Sequence, residues 1–142
     1  MQVKDVMTYN PEVVRSDALL QDVAEKMGTL EIGMLPVCNG EHVIGLLTDR
    51  DLTVRATAAG CDPAMTQVCD VMTTNVVYCF EEQDIVEAAT LMEAQQVRRL
   101  LVLNHHNHFV GIVSLDDLAV GGDPKLAGET LKEVAKRSGP QG

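Results

Sequence analysis

An α+β fold built from two copies of one small unit is what this sequence predicts, and three observations carry the prediction. The chain repeats itself. Each copy alternates short apolar runs with segments of helical period. Finally, 46% hydrophobic residues with only two Tyr, two Phe and no Trp leave an aliphatic core of Val, Leu, Ile, Met and Ala. The repeat shows first at Val3-Lys4-Asp5-Val6-Met7-Thr8, which recurs as Val68-Cys69-Asp70-Val71-Met72-Thr73. In that register Ala24 meets Ala89, Met27 meets Met92 and Val37 meets Val102. One residue inserted in a His-rich loop then brings Gly45-Leu46-Leu47-Thr48 onto Gly111-Ile112-Val113-Ser114, and Asp51-Leu52 onto Asp117-Leu118. A unit of roughly 60 residues buries too little surface alone, so the two copies, 1–64 and 65–123, are expected to pack with pseudo-twofold symmetry. Residues 124–142 form a tail.

Each copy reads βαββα. Residues 11–14 and 76–79 are expected as short strands. A helix follows, marked by Leu19, Leu20, Val23, Met27 and Leu30 in the first copy and by Ile85, Ala88, Ala89 and Met92 in the second. Ser16 or Asp17 is the expected N-cap of the first. Two strands come next, at 34–38 and 42–47, joined across Asn39-Gly40, a strong hairpin signal. Their counterparts at 99–103 and 109–113 are joined across the polar loop 104–108. A closing helix is expected over 49–59, stopped by Gly60, and over 115–120, stopped by Gly121-Gly122. In the tail, Leu126, Leu131 and Val134 suggest one helix before a disordered end, Ser138–Gly142.

Charge narrows the partners. With 21 acidic against 11 basic residues the net charge is -10, which argues against nucleic acid, whose binding rests on Lys and Arg neutralising phosphates. An anionic ligand must be small and held by a few local cations or backbone N–H groups. No apolar stretch approaches bilayer length, and the N-terminus lacks a signal-peptide layout, so a cytoplasmic location without membrane contact is expected. Cys38, Cys61, Cys69 and Cys79 show no CxxC spacing and read as reduced thiols. A single disulfide or one shared thiol–metal site stays open.

The chemistry concentrates in Gly45-Leu46-Leu47-Thr48-Asp49-Arg50-Asp51-Leu52 and Gly111-Ile112-Val113-Ser114-Leu115-Asp116-Asp117-Leu118. Each places a hydroxyl at a strand end and a carboxylate three residues on, in the first turn of a helix. The plainest account is a helix-start cap. The same turn also exposes N–H groups that attract phosphate, and an ionised Asp can accept from both hydroxyls of a ribose. Thr48 and Asp51 then read a nucleoside, with Arg50 as a nearby cation. Arg98-Arg99 is a second cation source. Read as more than a solvated surface, it approaches the Thr48–Asp51 turn across a pseudo-twofold interface and makes the first-copy site the better phosphate binder. Ser114 and Asp117 form the weaker site, with Asp116 where the first has Arg50.

These residues also carry a family resemblance. The repeated Asp-Val-Met-Thr, the strand Gly33-Met34-Leu35-Pro36-Val37 and the two Gly-h-h-Thr/Ser-x-x-Asp turns resemble the CBS domain over about residues 1–120. The run Leu47–Leu52, with Ala58-Ala59-Gly60-Cys61-Asp62-Pro63 after it, is similar to prokaryotic free-standing CBS pairs. The resemblance implies clefts that bind AMP, ADP, ATP or S-adenosylmethionine, or nothing, and a disc-like homodimer. By its pattern Thr48, Asp51, Ser114 and Asp117 match ribose and phosphate positions, Thr8 and Thr73 line the clefts, and Gly33, Met34, Leu35 and Pro36, with Arg98 and Arg99, match adenine or phosphate walls. Leu101 in place of Pro36, and Asp116, depart from the pattern at the second site.

Other signals are bland. His105, His106 and His108 sit in a short loop without a nearby acid or thiol and read as solvated turn residues rather than metal ligands. No nucleophile–base pair and no Walker loop occurs, so no enzyme is expected. The leading expectation is an adenine-nucleotide sensor that signals to a protein partner. The alternative is a ligand-free dimerisation scaffold in which Thr48 and Asp51 only cap a helix.

Overall fold

A computed structural model describes residues 1–138. In chain order the strands are β1 (Thr8–Tyr9), β2 (Val14–Arg15), β3 (Met34–Asn39), β4 (His42–Thr48), β5 (Tyr78–Phe80), β6 (Arg99–Leu103) and β7 (Phe109–Ser114). The α-helices are α1 (Leu20–Leu30), α2 (Ile85–Gln95), α3 (Leu115–Asp117) and α4 (Pro124–Ser138). The fold is α+β, and the chain divides into two compact units. One is Glu12–Val76; the other joins Met1–Pro11 to the chain from Val77 onward. The folded units therefore do not coincide with the sequence copies. The opening segment of each copy folds with the strands and helices of the other.

In the unit 12–76 the sheet order is β2-β3-β4, with β2 parallel to β3 and β3–β4 an antiparallel hairpin. Gly40 takes φ +66° at its tip, which only glycine adopts without strain. α1 buries Leu20, Val23 and Met27 against Leu35, Val37 and Leu47, and Val68 and Val71 from the second copy complete this core. The segment is tied to β4 by Leu46 and Thr73, which exchange backbone hydrogen bonds of 2.9 and 2.8 Å.

The other unit repeats the plan. Its sheet runs β1-β7-β6-β5, and β1 pairs antiparallel with β7, Thr8 opposite Ile112. α2 buries Ile85, Ala88, Ala89 and Met92 against Leu100, Val102 and Val113, and the opening residues Val3 and Met7 close that core. α4 adds Ala127 to it. Among the described residues no helix is long and apolar enough to cross a membrane.

Several local expectations shift. α1 starts after Leu19, whose side chain makes no cap hydrogen bond, rather than after Ser16 or Asp17. Backbone does the capping instead: the Leu20 and Gln21 N–H groups donate to the Thr66 and Pro63 carbonyls at 3.0 and 3.1 Å. α2 does use a side-chain cap, Asp84, which accepts from the Val86 N–H at 2.9 Å. The first strand of each copy begins later than expected, at Val14 and Tyr78, where parallel pairing to β3 and β6 sets in. β1 was not legible as a strand; its partner lies a whole copy away. The closing helices are wide: 51–57 and 118–122 are π-helical, with bonds such as Ala58 N–H to the Thr53 carbonyl. The second runs through Gly121 and Gly122 rather than stopping there. A Cβ at Gly121 would lie 3.4 Å from Val6 Cγ1, an ordinary van der Waals contact, and one at Gly122 would lie 3.3 Å from Ile85 Cδ1. α4 forms as one helix and includes Ser138; the rest of the end expected to be disordered, 139–142, lies outside the described residues.

Gly45 and Gly111, equivalent in the two copies, admit the exchanged segments. A Cβ at Gly45 would stand 2.8 Å from the Thr73 carbonyl oxygen, and one at Gly111 would collide with that of Thr8. Gly111→Ala is therefore expected to destabilise the protein by about 1–3 kcal/mol, the usual cost of overpacking. Gly28→Ala, where a Cβ meets nothing within 4 Å, is expected to stabilise by up to ~1 kcal/mol. Urea unfolding of both variants checks the contrast.

Candidate functional site

Both hydroxyl–carboxylate turns form, and both are capping boxes. At the end of β4, Thr48 Oγ1 accepts from the Asp51 N–H at 3.1 Å, while Asp51 Oδ2 accepts from the Thr48 N–H at 3.0 Å. At the end of β7, Ser114 Oγ accepts from the Asp117 N–H at 3.1 Å and Asp117 Oδ2 accepts from the Ser114 N–H at 2.9 Å. The strand end delivers the hydroxyl and the helical turn returns the carboxylate three residues later, which is what the spacing dictates.

The two carboxylates then diverge. Asp51 is 5% exposed. The Thr73 hydroxyl donates to its Oδ1 and Oδ2 at 3.1 and 3.2 Å, and Arg55 Nε lies 3.6 Å from Oδ1. Arg55 Nη1 also donates to the Met72 carbonyl at 3.1 Å. Asp51 thus clamps the exchanged segment onto its own unit. Asp117 is half-buried, and among the described residues it accepts only from Ser114. Gly121 stands where the first copy has Arg55, and the exposed Thr8 makes no bond to Asp117. Arg55 escaped the sequence reading, although its i,i+4 spacing from Asp51 was the available signal.

The other candidates distribute by unit. Gly33 lies exposed after α1, and its carbonyl accepts from the Asp49 N–H at 3.0 Å. Met34 pairs with Thr48, and Leu35 and Pro36 are buried opposite Leu47 and Leu46. Arg50 is exposed, its N–H donating to its neighbour Asp49. Arg98 and Arg99 occupy the matching turn of the other unit. The Leu115 N–H donates to the Arg98 carbonyl at 3.0 Å, and Arg99 is the cross-strand partner of Ser114. Arg98, Arg99, Ser114 and Asp116 line a cavity of about 330 Å3 whose far wall includes Ala127 and Gly128 of α4. Pro124 and Leu131 of α4 line it as well, and the sequence marked Leu131 as part of a helix without placing that helix beside the arginines.

His105, His106 and His108 are exposed. The backbone N–H groups of His106 and His108 donate to Asn104 Oδ1, and the rings of His105 and His106 lie 3.9 Å apart. Among the described residues no three His, Cys, Asp or Glu are placed to hold a metal. All four cysteines are free. Burial pushes the Cys79 thiol up to about 12 and raises that of Cys38 as well.

Two outcomes test this geometry. A double-mutant cycle on Asp51→Ala and Thr73→Val is expected to show coupling of about 1.5–3 kcal/mol, the range for a hydrogen bond to a charged group. Asp117→Ala is expected to destabilise less than Asp51→Ala, near the ~1 kcal/mol of a lost cap. For the thiols, a raised pKa means less reactive thiolate at a given pH. Mass spectrometry after iodoacetamide at pH 8 is expected to find exposed Cys69 modified and Cys79 protected until the protein unfolds.

Comparison with known proteins follows the same repeat. A family model described as CBS domain matches residues 3–56 and 68–120. The CBS domain-containing protein YhcV of Bacillus subtilis is 36% identical over 137 residues, 96% of each chain. Hypoxic response protein 1 of Mycobacterium tuberculosis is 33% identical over 117 residues, 82% of this chain and 81% of that one. A crystal structure of Hypoxic Response Protein I with two coordinated zinc ions superposes with TM-score 0.73 at 31% identity, covering 84% of this chain and 97% of that one. The structure of CBSX2 in complex with AMP has TM-score 0.69 at 23% identity, over 83% and 93% of the two chains, a likeness of fold alone.

Proposed function

The chain belongs to the CBS domain family, and from that premise we propose that it is a regulatory module binding an adenine nucleotide. AMP is the preferred ligand, followed by ADP and ATP, with S-adenosylmethionine behind them. The module acts without catalysis of its own, as a cytoplasmic homodimer, and signals to a protein partner through a change of conformation. The observation that carries this reading is the pair of matched turns, Thr48–Asp51 and Ser114–Asp117. Each sets a hydroxyl, a carboxylate and first-turn N–H groups at a strand end. Such a set suits a nucleoside phosphate: hydroxyl and N–H groups for the phosphate, carboxylate for the ribose diol. A solved structure of the same fold, CBSX2 in complex with AMP, supports it. Regulation then requires unequal affinity for two conformations, because tight binding alone shifts no equilibrium.

One observation favours a second reading, a dimerisation scaffold without ligand. Asp51 already spends its oxygens on Thr48, Thr73 and Arg55, as a purely structural cap would.

Isothermal titration of nucleotide-free protein with AMP, ADP, ATP and S-adenosylmethionine separates the two. Micromolar binding with AMP first is the expected outcome. Heats indistinguishable from dilution for all four would overturn the sensor reading and leave the scaffold.

A further inference from the structure

We infer that α4 is a detachable strap: it docks on the core of its own unit and releases as one piece, well before the rest of that unit unfolds. α4 begins at Pro124, beyond residue 120 where the family match ends, so the strap is an addition to the repeat. The inference holds whichever ligand the module takes, or none.

The helix is held by a narrow contact. Among its described side chains, Ala127, Thr130 and Val134 are buried, at 5%, 0% and 2% exposure, on one stripe of i, i+3, i+7 spacing. Ala127 joins the apolar cluster of Ile85, Ala88, Ala89 and Met92, with Leu126 packed partly against it. Leu131 stays 43% exposed.

One of the three buried residues is polar. Thr130 Oγ1 is buried and has no hydrogen-bond partner among the described residues. A threonine inside a helix can donate its hydroxyl to the carbonyl one turn back, as Thr90 of α2 does to Val86 at 2.9 Å. Thr130 makes no such bond. Asp51, the other buried polar side chain, is engaged by Thr48, Thr73 and Arg55. An orphaned buried hydroxyl penalises the docked state, and contact with water on release removes the penalty. Gly128 weakens the helix further. Glycine inside a helix is unfavourable, and a Cβ there would meet nothing within 4 Å, so packing does not require it.

The connection is built as a hinge. Gly121 and Gly122 lead into Asp123, whose extended backbone (φ -121°, ψ 103°) turns the chain away from the preceding helix. Pro124 then opens α4 with its φ already helical. Asp123 Oδ1 accepts from the Lys125 and Leu126 N–H groups at 3.0 and 3.2 Å. The cap is therefore carried by the strap itself and not by the core. On release, Ala127, Gly128 and Leu131 leave the cavity beside Arg98 and Arg99, which opens on that side. Docked and released states thus differ in one wall, a difference through which a bound molecule biases an equilibrium.

Native-state hydrogen exchange tests the strap, with the amides of β6 and β7 as internal reference. Amides 127–136 are expected to exchange together, about a hundredfold faster than those of 100–102 and 112–113, in urea far below the unfolding midpoint. Thr130→Val removes the orphaned hydroxyl at nearly constant volume and is expected to slow that group about tenfold, leaving the β3 and β4 amides unchanged. Trypsin reads the same opening: cleavage after Lys132 is expected early in the wild type and later in the variant. Should Thr130→Val disturb β6 and β7, Gly128→Ala replaces it and is expected to slow the same group. Three results would overturn the strap. One is α4 exchanging only together with β6 and β7. Another is a gradient of rates running inward from the C-terminus, which is fraying. The last is an α4 rate that neither variant slows.

Discussion

Everything in this protein depends on one packing constraint: neither copy closes its own core. The helix and hairpin of the first copy are completed by Val68 and Val71, and those of the second by Val3 and Met7. The incoming segment must lie against the last hairpin strand closely enough to exchange backbone hydrogen bonds, as Thr73 does with Leu46. That approach leaves no room for a side chain at Gly45 or Gly111. Buried apolar surface supplies the drive, but the two glycines decide that the segment can seat at all. Because the segments cross, the chain passes between units at Pro11–Glu12 and at Val76–Val77, and the unit that holds the second hairpin is assembled from two separate stretches of sequence.

The crossing also explains why one motif has two fates. In the unit 12–76 the arriving Thr73 finds Asp51, and Arg55 one turn along the helix reaches both Asp51 and the Met72 carbonyl. A buried carboxylate needs such partners, and here they are a second purpose for a residue that also caps its helix. In the other unit, glycine at position 121 removes the arginine, and Asp117 remains half-buried with acceptor capacity to spare. Two nearly equal sequence motifs thus become a clamp and an open turn: glycine stands in place of the arginine, and Thr8, the counterpart of Thr73, makes no bond to Asp117.

The unpaired arginines follow the same logic from the other side. Where Gly33 leaves its turn bare in one unit, Arg98 and Arg99 put two positive charges at the equivalent turn. α4, appended after the second copy, encloses the space beside them. An addition outside the repeat thereby breaks the near symmetry of a duplicated chain. The same helix packs on the core through Ala127 and walls the cavity through Gly128.

By itself the sequence determined the repeat, the α+β class, the two hairpins and both hydroxyl–carboxylate turns, because each is a local pattern. Period, turn residues such as Asn39-Gly40 and a three-residue spacing are readable along the chain. Only the tertiary structure decided which copy each Asp-Val-Met-Thr segment completes, since pairings such as Thr8 with Ile112 join residues a hundred positions apart in rough terms. It also decided the starts of α1 and the short strands, where backbone from distant segments replaces side-chain caps. The difference between Asp51 and Asp117 was settled the same way. Partnership of a carboxylate depends on what the fold brings within hydrogen-bond reach, and no spacing along the chain records that.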